Sequence, residues 1–177
     1  VMGSVSASVV SHASCPVVVV REDSHVTDST KYGPVVVGVD GSEVSQKATA
    51  YAFREAQARG AALIAVHTWM DMQVQASLAG LSAAQSEWAD IEKEQSELLA
   101  ENLKEPREEY PDVEVKQLIT RDRPVSALTE AAEGAQLLVV GSHGRGGFKG
   151  MLLGSTSRAL LQSAPCPMMV VRPDEDN

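Results

Sequence analysis

The sequence predicts an α/β domain in which helices cover both faces of a five-stranded parallel sheet, a Rossmann-like, doubly wound architecture. Short apolar runs alternate with amphipathic segments, which is the pattern of strands joined by crossover helices. Several of the runs are continuously apolar, as strands buried on both faces of a parallel sheet are. The length of 177 residues suits one such domain with a small addition.

The complete domain begins with a predicted strand over residues 34–40. Ser42 or Ser45 can cap the helix that follows, which we expect to end near Arg59. A second strand over residues 61–69 completes this first unit. The apolar face of the helix is small and consists of Ala48, Tyr51, Ala52 and Ala56.

The middle of the domain contains a long predicted helix. Residues 71–84 show no hydrophobic period, so we expect an excursion over the sheet edge. The helix follows over about residues 85–110, and Pro106 should end or kink it. A third strand is predicted over residues 113–120. The apolar positions of the helix recur at helical spacing and are Trp88, Ile91, Leu98, Leu99 and Leu103.

The last part of the domain carries two further helices and two further strands. Pro124 occupies a favoured first-turn position, so we expect a helix there that Asp122 or Arg123 caps and that Gly134 ends. The remaining elements are a strand, a helix and a strand, over residues 137–140, 155–163 and 168–172.

Two predicted strand ends carry unusual residues. If the strand order is 3-2-1-4-5, the order reverses between the strand that ends at Asp40 and the strand that ends at Gly141. Ligands of doubly wound sheets bind at the carboxyl ends of the strands at this reversal. Asp40 is an acid after an apolar run, and five glycines lie between residues 141 and 150. The sequence therefore predicts a ligand site at this crevice.

The glycine-rich loop has the spacing Gly141-x2-Gly144-x9-Gly154-Ser155. Glycine lets a ligand approach the main chain closely, and the start of the next helix offers unpaired N–H groups to phosphate. The spacing differs from that of a Walker loop and from the dinucleotide fingerprint. The alternatives are a phosphate-binding loop and a flexible surface loop without a ligand.

Several side chains near the crevice also have a purely structural alternative. Asp40 can form an Asx turn or a helix cap, and either is compatible with a ligand contact. His67 suits a half-buried structural position, and His143 suits either the site or solvent. Arg145 and Lys149 can pair with phosphates or stay solvated.

Composition and charge argue against several partners. The net charge of −9 repels a phosphate backbone and the 4% aromatic content gives no stacking platform, so nucleic acid is not an expected partner. No apolar run approaches the ~20 residues of a membrane helix, and no signal peptide is visible. Only two cysteines occur, which indicates a reducing, cytoplasmic setting. We expect four residues to be core, namely Cys15, Cys166, Met168 and Met169.

Residues 2–23 repeat residues 153–174 without gaps. Ten of these 22 positions are identical, and a Cys-Pro pair and an Arg-x-Asp motif are among them. We therefore expect residues 1–23 to be the last helix and strand of a preceding domain of the same kind, whose remainder this sequence lacks. Residues 24–33 are a predicted linker, and residues 34–174 form the complete domain.

Four motifs together resemble the universal stress protein family. They are VGVDGS after the first strand, VVGSHGRGG after the fourth, LLGSTS at the next helix and CPMMVV at the end. The resemblance covers residues 34–173, and residues 1–23 resemble the tail of a second copy, as in tandem, two-domain actinobacterial members. The glycine spacing marks the ATP-binding branch of the family. The resemblance thus implies ATP as ligand, with Mg²⁺ arriving on the nucleotide.

Carried over by position, the resemblance also implies roles at the base end of the site. Asp40 would hold the ribose or the adenine, and Gly38 and Val39 would line the base recess. The backbone of His67 and Thr68 would offer hydrogen bonds to adenine.

The glycine loop would hold the rest of the nucleotide. Gly141 and Gly144 would approach the ribose and the α-phosphate, while Gly154, Ser155 and Thr156 would bind the outer phosphates. The loop positions between them complete the set of candidate binding residues and are Ser142, His143 and Arg145.

These residues favour an ATP-binding stress-response regulator with little or no turnover. We assign no catalytic and no metal-ligating residue, because the sequence has no Walker lysine, evident general base or second acidic metal cluster. The alternative is a slow ATP hydrolase or another nucleotide-processing α/β enzyme. An assembly role adds to the first hypothesis, since the apolar last strand should lie at the sheet edge. It would pair with residues 17–21 in the intact tandem, or with its own copy in a homodimer.

Overall fold

The computed structural model describes residues 3–22, 32–69, 85–146 and 152–173. Most of the predicted linker, the predicted excursion over residues 71–84 and loop residues 147–150 lie outside these ranges, as does the side chain of Trp88. Within them the elements are, in chain order, α1 (Ser4–His12), β1 (Val17–Val19), β2 (Val35–Gly38), α2 (Glu43–Arg59), β3 (Leu63–Thr68), α3 (Gln85–Glu109), β4 (Val115–Thr120), α4 (Pro124–Ala131), β5 (Leu137–Gly141), α5 (Ser155–Ser163) and β6 (Met168–Val171).

The six described strands form one mixed sheet in the order β1-β6-β5-β2-β3-β4. Strands β2 to β6 are parallel, and β1 joins the outer edge of β6 in the antiparallel direction. The predicted five-stranded, wholly parallel sheet of order 3-2-1-4-5 does not match this sheet. The difference is β1, whose pairing with the last strand was expected only for the intact tandem and which here supplies partners to the backbone groups that an apolar last strand would otherwise leave bare.

Helices lie on both faces of the sheet and form two core layers. Successive side chains of a strand point to opposite faces, so β5 sends Leu138 and Val140 to one layer and Leu137 and Val139 to the other. The first layer also contains buried residues of α4 and α5, and the second contains buried residues of α2 and α3. Two layers explain why the β5 run is continuously apolar.

Helix ends follow local signals in α2 but less closely in the later helices. The Ser42 hydroxyl accepts a hydrogen bond from the Ser45 N–H at 3.2 Å, so Ser42 is the N-cap. Helix α3 continues for three residues beyond Pro106. Helix α4 begins at Pro124 as predicted, yet it ends three residues before Gly134, which takes the left-handed φ of 74°.

The repeated segment packs as a small helix–strand unit. The bounds of α1 coincide with those of α5 at the repeat offset of 151 residues. Val10 of α1 is buried in the first core layer. Cys166 is buried as expected, but its counterpart Cys15 is exposed, so the prediction of a core residue is wrong for Cys15. Cys166 packs in the first core layer, whereas Cys15 belongs to neither core layer.

Of the helices that the structure describes, none combines the length and the apolar character needed to cross a membrane.

Candidate functional site

A cleft of about 820 Å³ opens at the carboxyl ends of β2, β3 and β5. This volume falls within the usual ~300–1,000 Å³ of small-molecule sites. The cleft lies between β2 and β5, the adjacent parallel strands at which the strand order of the sheet reverses, as the crevice argument predicts. Twelve of the thirteen predicted site residues line it: Gly38, Val39, Asp40, His67, Thr68, Gly141, His143, Gly144, Arg145, Gly154, Ser155 and Thr156.

Ser142 is the exception, because it is fully buried behind the cleft wall. Its N–H donates to the Val171 carbonyl at 2.7 Å, and its own carbonyl accepts from the Gly154 N–H at 2.7 Å. Its hydroxyl lies 3.0 Å from Nδ1 of His143. Ser142 therefore ties the glycine loop to β6 and α5 and orients the His143 ring, and it has no surface left for a ligand.

The Asp40 carboxylate joins the two loops that flank the cleft. Its Oδ1 accepts a hydrogen bond from the Ser42 N–H at 2.9 Å, which is the predicted Asx turn. Its Oδ2 accepts one from the Arg145 N–H at 3.2 Å. A Cβ added to Gly144 would lie 2.5 Å from the same Oδ2, so only glycine allows this approach. Asp40 thus sets the spacing between the loop after β2 and the loop after β5.

The N-terminus of α5 faces the cleft without a side-chain cap. Gly154 is the N-cap residue and makes no side-chain hydrogen bond, so the first-turn N–H groups receive no side-chain cap there. Ser155 and Thr156 of this turn line the cleft. The Ser157 hydroxyl donates to the Gly141 carbonyl at 2.7 Å and fixes the helix on the end of β5. Such a terminus suits an anion.

Part of the cleft wall is apolar. It includes Val66, Leu128 and Val140, with Pro124 at the start of α4. A Cβ on Gly38 would lie 3.3 Å from Cδ1 of Leu128, so the glycine leaves space beside this leucine, and we call this part of the cleft the apolar recess. The lining therefore combines an apolar recess with a helix N-terminus that suits an anion. This combination suits a ligand with an apolar part and a phosphate part.

His67 is more deeply buried than the predicted half-buried position, with 2% of its surface exposed. Its Nδ1–H donates to the Val39 carbonyl at 2.7 Å, and its Nε2 lies 2.9 Å from Oε1 of Gln95. Both ring nitrogens are thus engaged by the protein. The side chain holds the end of β2 beside Asp40, while Thr68 lies half-buried at the end of β3.

Sequence reasoning missed seven residues that line the cleft, namely Ser45, Val66, Pro124, Leu128, Val140, Gly146 and Ser157. Val66 and Val140 each precede a predicted site residue at a strand end, so a wider window would have included them. Leu128 had no such signal, because only the packing of α4 on the sheet brings it to the cleft. Gln95 does not line the cleft, and its contact with His67 also depends on packing.

The described residues hold no group of three His, Cys, Asp or Glu side chains placed to bind a metal ion. Asp40 is the one carboxylate among the described lining residues, and both of its oxygens accept backbone hydrogen bonds. The residues present therefore fit a magnesium ion only if the phosphates of a ligand supply most of its oxygen ligands.

The chain matches known proteins along most of its length. The universal stress protein family matches residues 31–172. Universal stress protein Rv2005c of Mycobacterium tuberculosis is 48% identical over 171 residues, which are 97% of this chain and 56% of that protein. The chain thus spans about half the length of the curated relatives it matches.

Solved structures share the fold. A universal stress protein in complex with cAMP is 26% identical, with a TM-score of 0.51 over 80% of this chain and 97% of that one. The universal stress protein of Archaeoglobus fulgidus in complex with dAMP is 20% identical, with a TM-score of 0.53 over 79% of this chain and 98% of that one. The second likeness concerns the fold alone. Taken with the family match over residues 31–172, these findings show that the chain belongs to the universal stress protein family.

Proposed function

We propose that the cleft binds ATP, with Mg²⁺ carried by the nucleotide, and that the protein is a stress-response regulator with little or no turnover. The adenine occupies the apolar recess beside Gly38 and Val39, with His67 and Thr68 at its edge. Asp40 faces the ribose or the adenine. The glycine loop and the first turn of α5 hold the phosphates, and the residues assigned to that task are Gly141, His143, Gly144, Arg145, Gly154, Ser155 and Thr156, with Ser142 supporting Gly154 from behind the cleft wall.

The observation that carries this proposal is the polarity of the cleft. Apolar side chains and an uncapped helix N-terminus line one ~820 Å³ space, with the Asp40 carboxylate among the lining residues. A nucleotide has the same distribution of apolar, hydroxyl and anionic groups. The contact of Ser142 is indirect, because it is buried and acts by holding Gly154. The relative solved with cAMP supports an adenine nucleotide as the ligand class.

The low turnover follows from the state of Asp40. Both of its oxygens accept backbone hydrogen bonds, at 2.9 and 3.2 Å, so the carboxylate has a positioning task and is poorly placed to take a proton from water. In this proposal ATP binding instead orders the glycine loop. The surface that the protein presents to a partner beside this loop then differs between the ATP-bound and the ATP-free protein.

Residues 1–23 belong in this proposal to a preceding domain, residues 24–33 to a linker and residues 34–174 to the complete domain. β1, which pairs with β6, is then the last strand of the preceding domain in a tandem. In the alternative homodimer, a second copy would have to take the place of β1 at this edge. The cytoplasm is the proposed location, and neither nucleic acid nor a membrane is a proposed partner. The repeat and the greater length of the relatives support this arrangement.

The test is calorimetric titration of the chain with ATP, ADP, AMP, cAMP and GTP. We expect the adenine nucleotides to bind and GTP to bind more weakly. Gly144→Ala should lower ATP affinity about tenfold or more, an effect of at least ~1.4 kcal/mol, because the new methyl group displaces the Asp40 carboxylate. Gly3→Ala is the matched control, since a Cβ at Gly3 meets nothing within 4 Å and it should leave affinity unchanged.

Hydrolysis is measured on the same samples. Turnover should lie far below the ~10 s⁻¹ of a typical enzyme. The regulator proposal fails if no adenine nucleotide binds. Rapid hydrolysis that Asp40→Ala abolishes would instead favour the alternative, in which the protein is an ATP hydrolase or another nucleotide-processing enzyme.

A further inference from the structure

A buried polar pair beside the cleft, formed by the lining residue His67 and by Gln95, connects α3 to the ends of β2 and β3. His67 of β3 is 2% exposed and Gln95 of α3 is 4% exposed. Nε2 of His67 lies 2.9 Å from Oε1 of Gln95, and the Nδ1–H of His67 donates to the Val39 carbonyl at 2.7 Å. The chain of contacts therefore runs from a helix on one face of the sheet to the residue that precedes Asp40.

Both main-chain polar groups of Val39, at the end of β2, are engaged in hydrogen bonds. The Val39 N–H donates to the Val66 carbonyl at 2.9 Å, and the Val39 carbonyl accepts from His67. A buried imidazole that loses one of its partners keeps the full desolvation penalty of the unpaired nitrogen. The His67 ring, and with it Val39, is thus held in place by the amide of Gln95.

The phosphate end of the cleft is held by different contacts. Ser157 donates to Gly141, and Gly154 and Ser142 join through main-chain groups to β6. None of these bonds involves α3. α3 therefore reaches the base end of the cleft through Gln95, while α5 and β6 hold the phosphate end.

We propose that Gln95 and His67 are positioning residues for the base end of the cleft. Their side chains fix the separation between the ends of β2 and β3, where the base is recognised, and touch no part of the ligand's phosphates. This inference rests on the proposed nucleotide function. In it, the packing of α3 against the sheet determines how tightly the base of the nucleotide is bound.

The test compares two ligands that each probe one end of the cleft. Adenosine reports on the base end, and inorganic tripolyphosphate reports on the phosphate end. Gln95→Met removes the amide at similar volume and should weaken adenosine and ATP about tenfold, with tripolyphosphate affinity changed less than about twofold. Asn102→Ala is the matched control on α3, because the Asn102 amide donates to Leu98 within the same helix. It should change neither affinity.

His67→Asn gives a second variant if Gln95→Met does not fold. The asparagine amide can still donate to Val39 but is too short to reach Gln95, so the same selective loss of adenosine affinity is expected. An equal loss for adenosine and tripolyphosphate would show ordinary destabilisation and overturn the inference, as would unchanged adenosine affinity. If the parent chain binds tripolyphosphate but not adenosine or ATP, the proposed function itself fails and the positioning role falls with it.

Discussion

At the scale of single residues, Asp40 shows how a structural task and a binding task can share one side chain. Its Oδ1 closes the turn into α2, while its Oδ2 holds the loop after β5. From the sequence we expected an Asx turn or a helix cap at Asp40, and either is compatible with a ligand contact. The turn is confirmed, and the ligand contact stays a prediction. Because the two oxygens reach different loops, a change at Asp40 should disturb both together.

The two cysteines occupy equivalent repeat positions but differ in environment. Burial raises the pKa of the Cys166 thiol to about 11, whereas Cys15 is exposed. The thiolate is the reactive form, so at pH 8 Ellman's reagent should titrate one thiol rapidly and the second only after unfolding in guanidinium. Raising the pH toward 11 should increase the rate at Cys166, as its thiolate fraction grows.

Serine variants assign the two thiols. Cys15→Ser should abolish the rapid phase, and Cys166→Ser should leave it intact. Two rapid equivalents in the folded parent would contradict the buried position of Cys166.

At the scale of elements, α5 and α1 are two copies of one helix with different duties. Both begin after a Gly-Ser pair, and both N-cap glycines are extended, with φ of −70° at Gly154 and −66° at Gly3. Only α5 is fixed on a strand end, through Ser157 and Gly141. A Cβ at Gly154 would lie 3.1 Å from Cα of His143, while one at Gly3 would meet open space. The tight contact belongs to the copy that borders the cleft.

Gly154→Ala should therefore lower the free energy of unfolding by about 1 kcal/mol, because the loop backbone must move to admit the methyl group. Gly3→Ala is the equivalent change without the contact. It should be neutral or stabilise by up to ~1 kcal/mol through the reduced entropy of the unfolded chain. Urea unfolding measures both variants. Equal effects of the two substitutions would show that the loop is not closely packed on α5.

At the scale of the whole molecule, the β1–β6 ladder has local two-fold symmetry. Val18 pairs with Met169, and these two residues are equivalent in the repeat. Arginines at equivalent positions also reach across. Arg172 donates to the Ala13 carbonyl at the end of α1 at 3.3 Å, and Arg21 donates to the Gln162 carbonyl in the last turn of α5. Positive charges at helix C-termini are favourable, so these two arginine contacts stabilise the packing of the α1–β1 unit against the α5–β6 unit.

Arg172→Ala should weaken the packing of the α1–β1 unit against the α5–β6 unit. Removing one charge-assisted hydrogen bond of about 1 kcal/mol should speed amide exchange in α1 and β1 about fivefold, with β2 and β5 unaffected. Hydrogen exchange followed by mass spectrometry gives the rates. Arg158→Ala, at an exposed position on α5, is the control and should change nothing. Unaltered exchange in α1 and β1 would mean that strand pairing alone holds the unit.

The α1–β1 unit also exposes an apolar surface. Val9, Val18 and Val20 are 49%, 47% and 66% exposed, whereas the equivalent Leu160, Met169 and Val171 are buried in the core. The complete domain covers these positions with its own helices and strands. The contrast supports the proposal that residues 1–23 come from a preceding domain of the same kind.

The sequence alone determined what depends on neighbouring residues: apolar runs for strands, Ser42 and Pro124 for helix starts, and a glycine spacing that tolerates close approach. These signals, together with the resemblance to the universal stress protein family, placed twelve of the thirteen candidate residues around one cleft. Tertiary structure decided what depends on distant segments. It brought Leu128 to the recess, joined Gln95 to His67, buried Ser142 and exposed Cys15, and it added β1 to the sheet. Those contacts join residues far apart in the chain, and only the packing of helices on the completed sheet selects them.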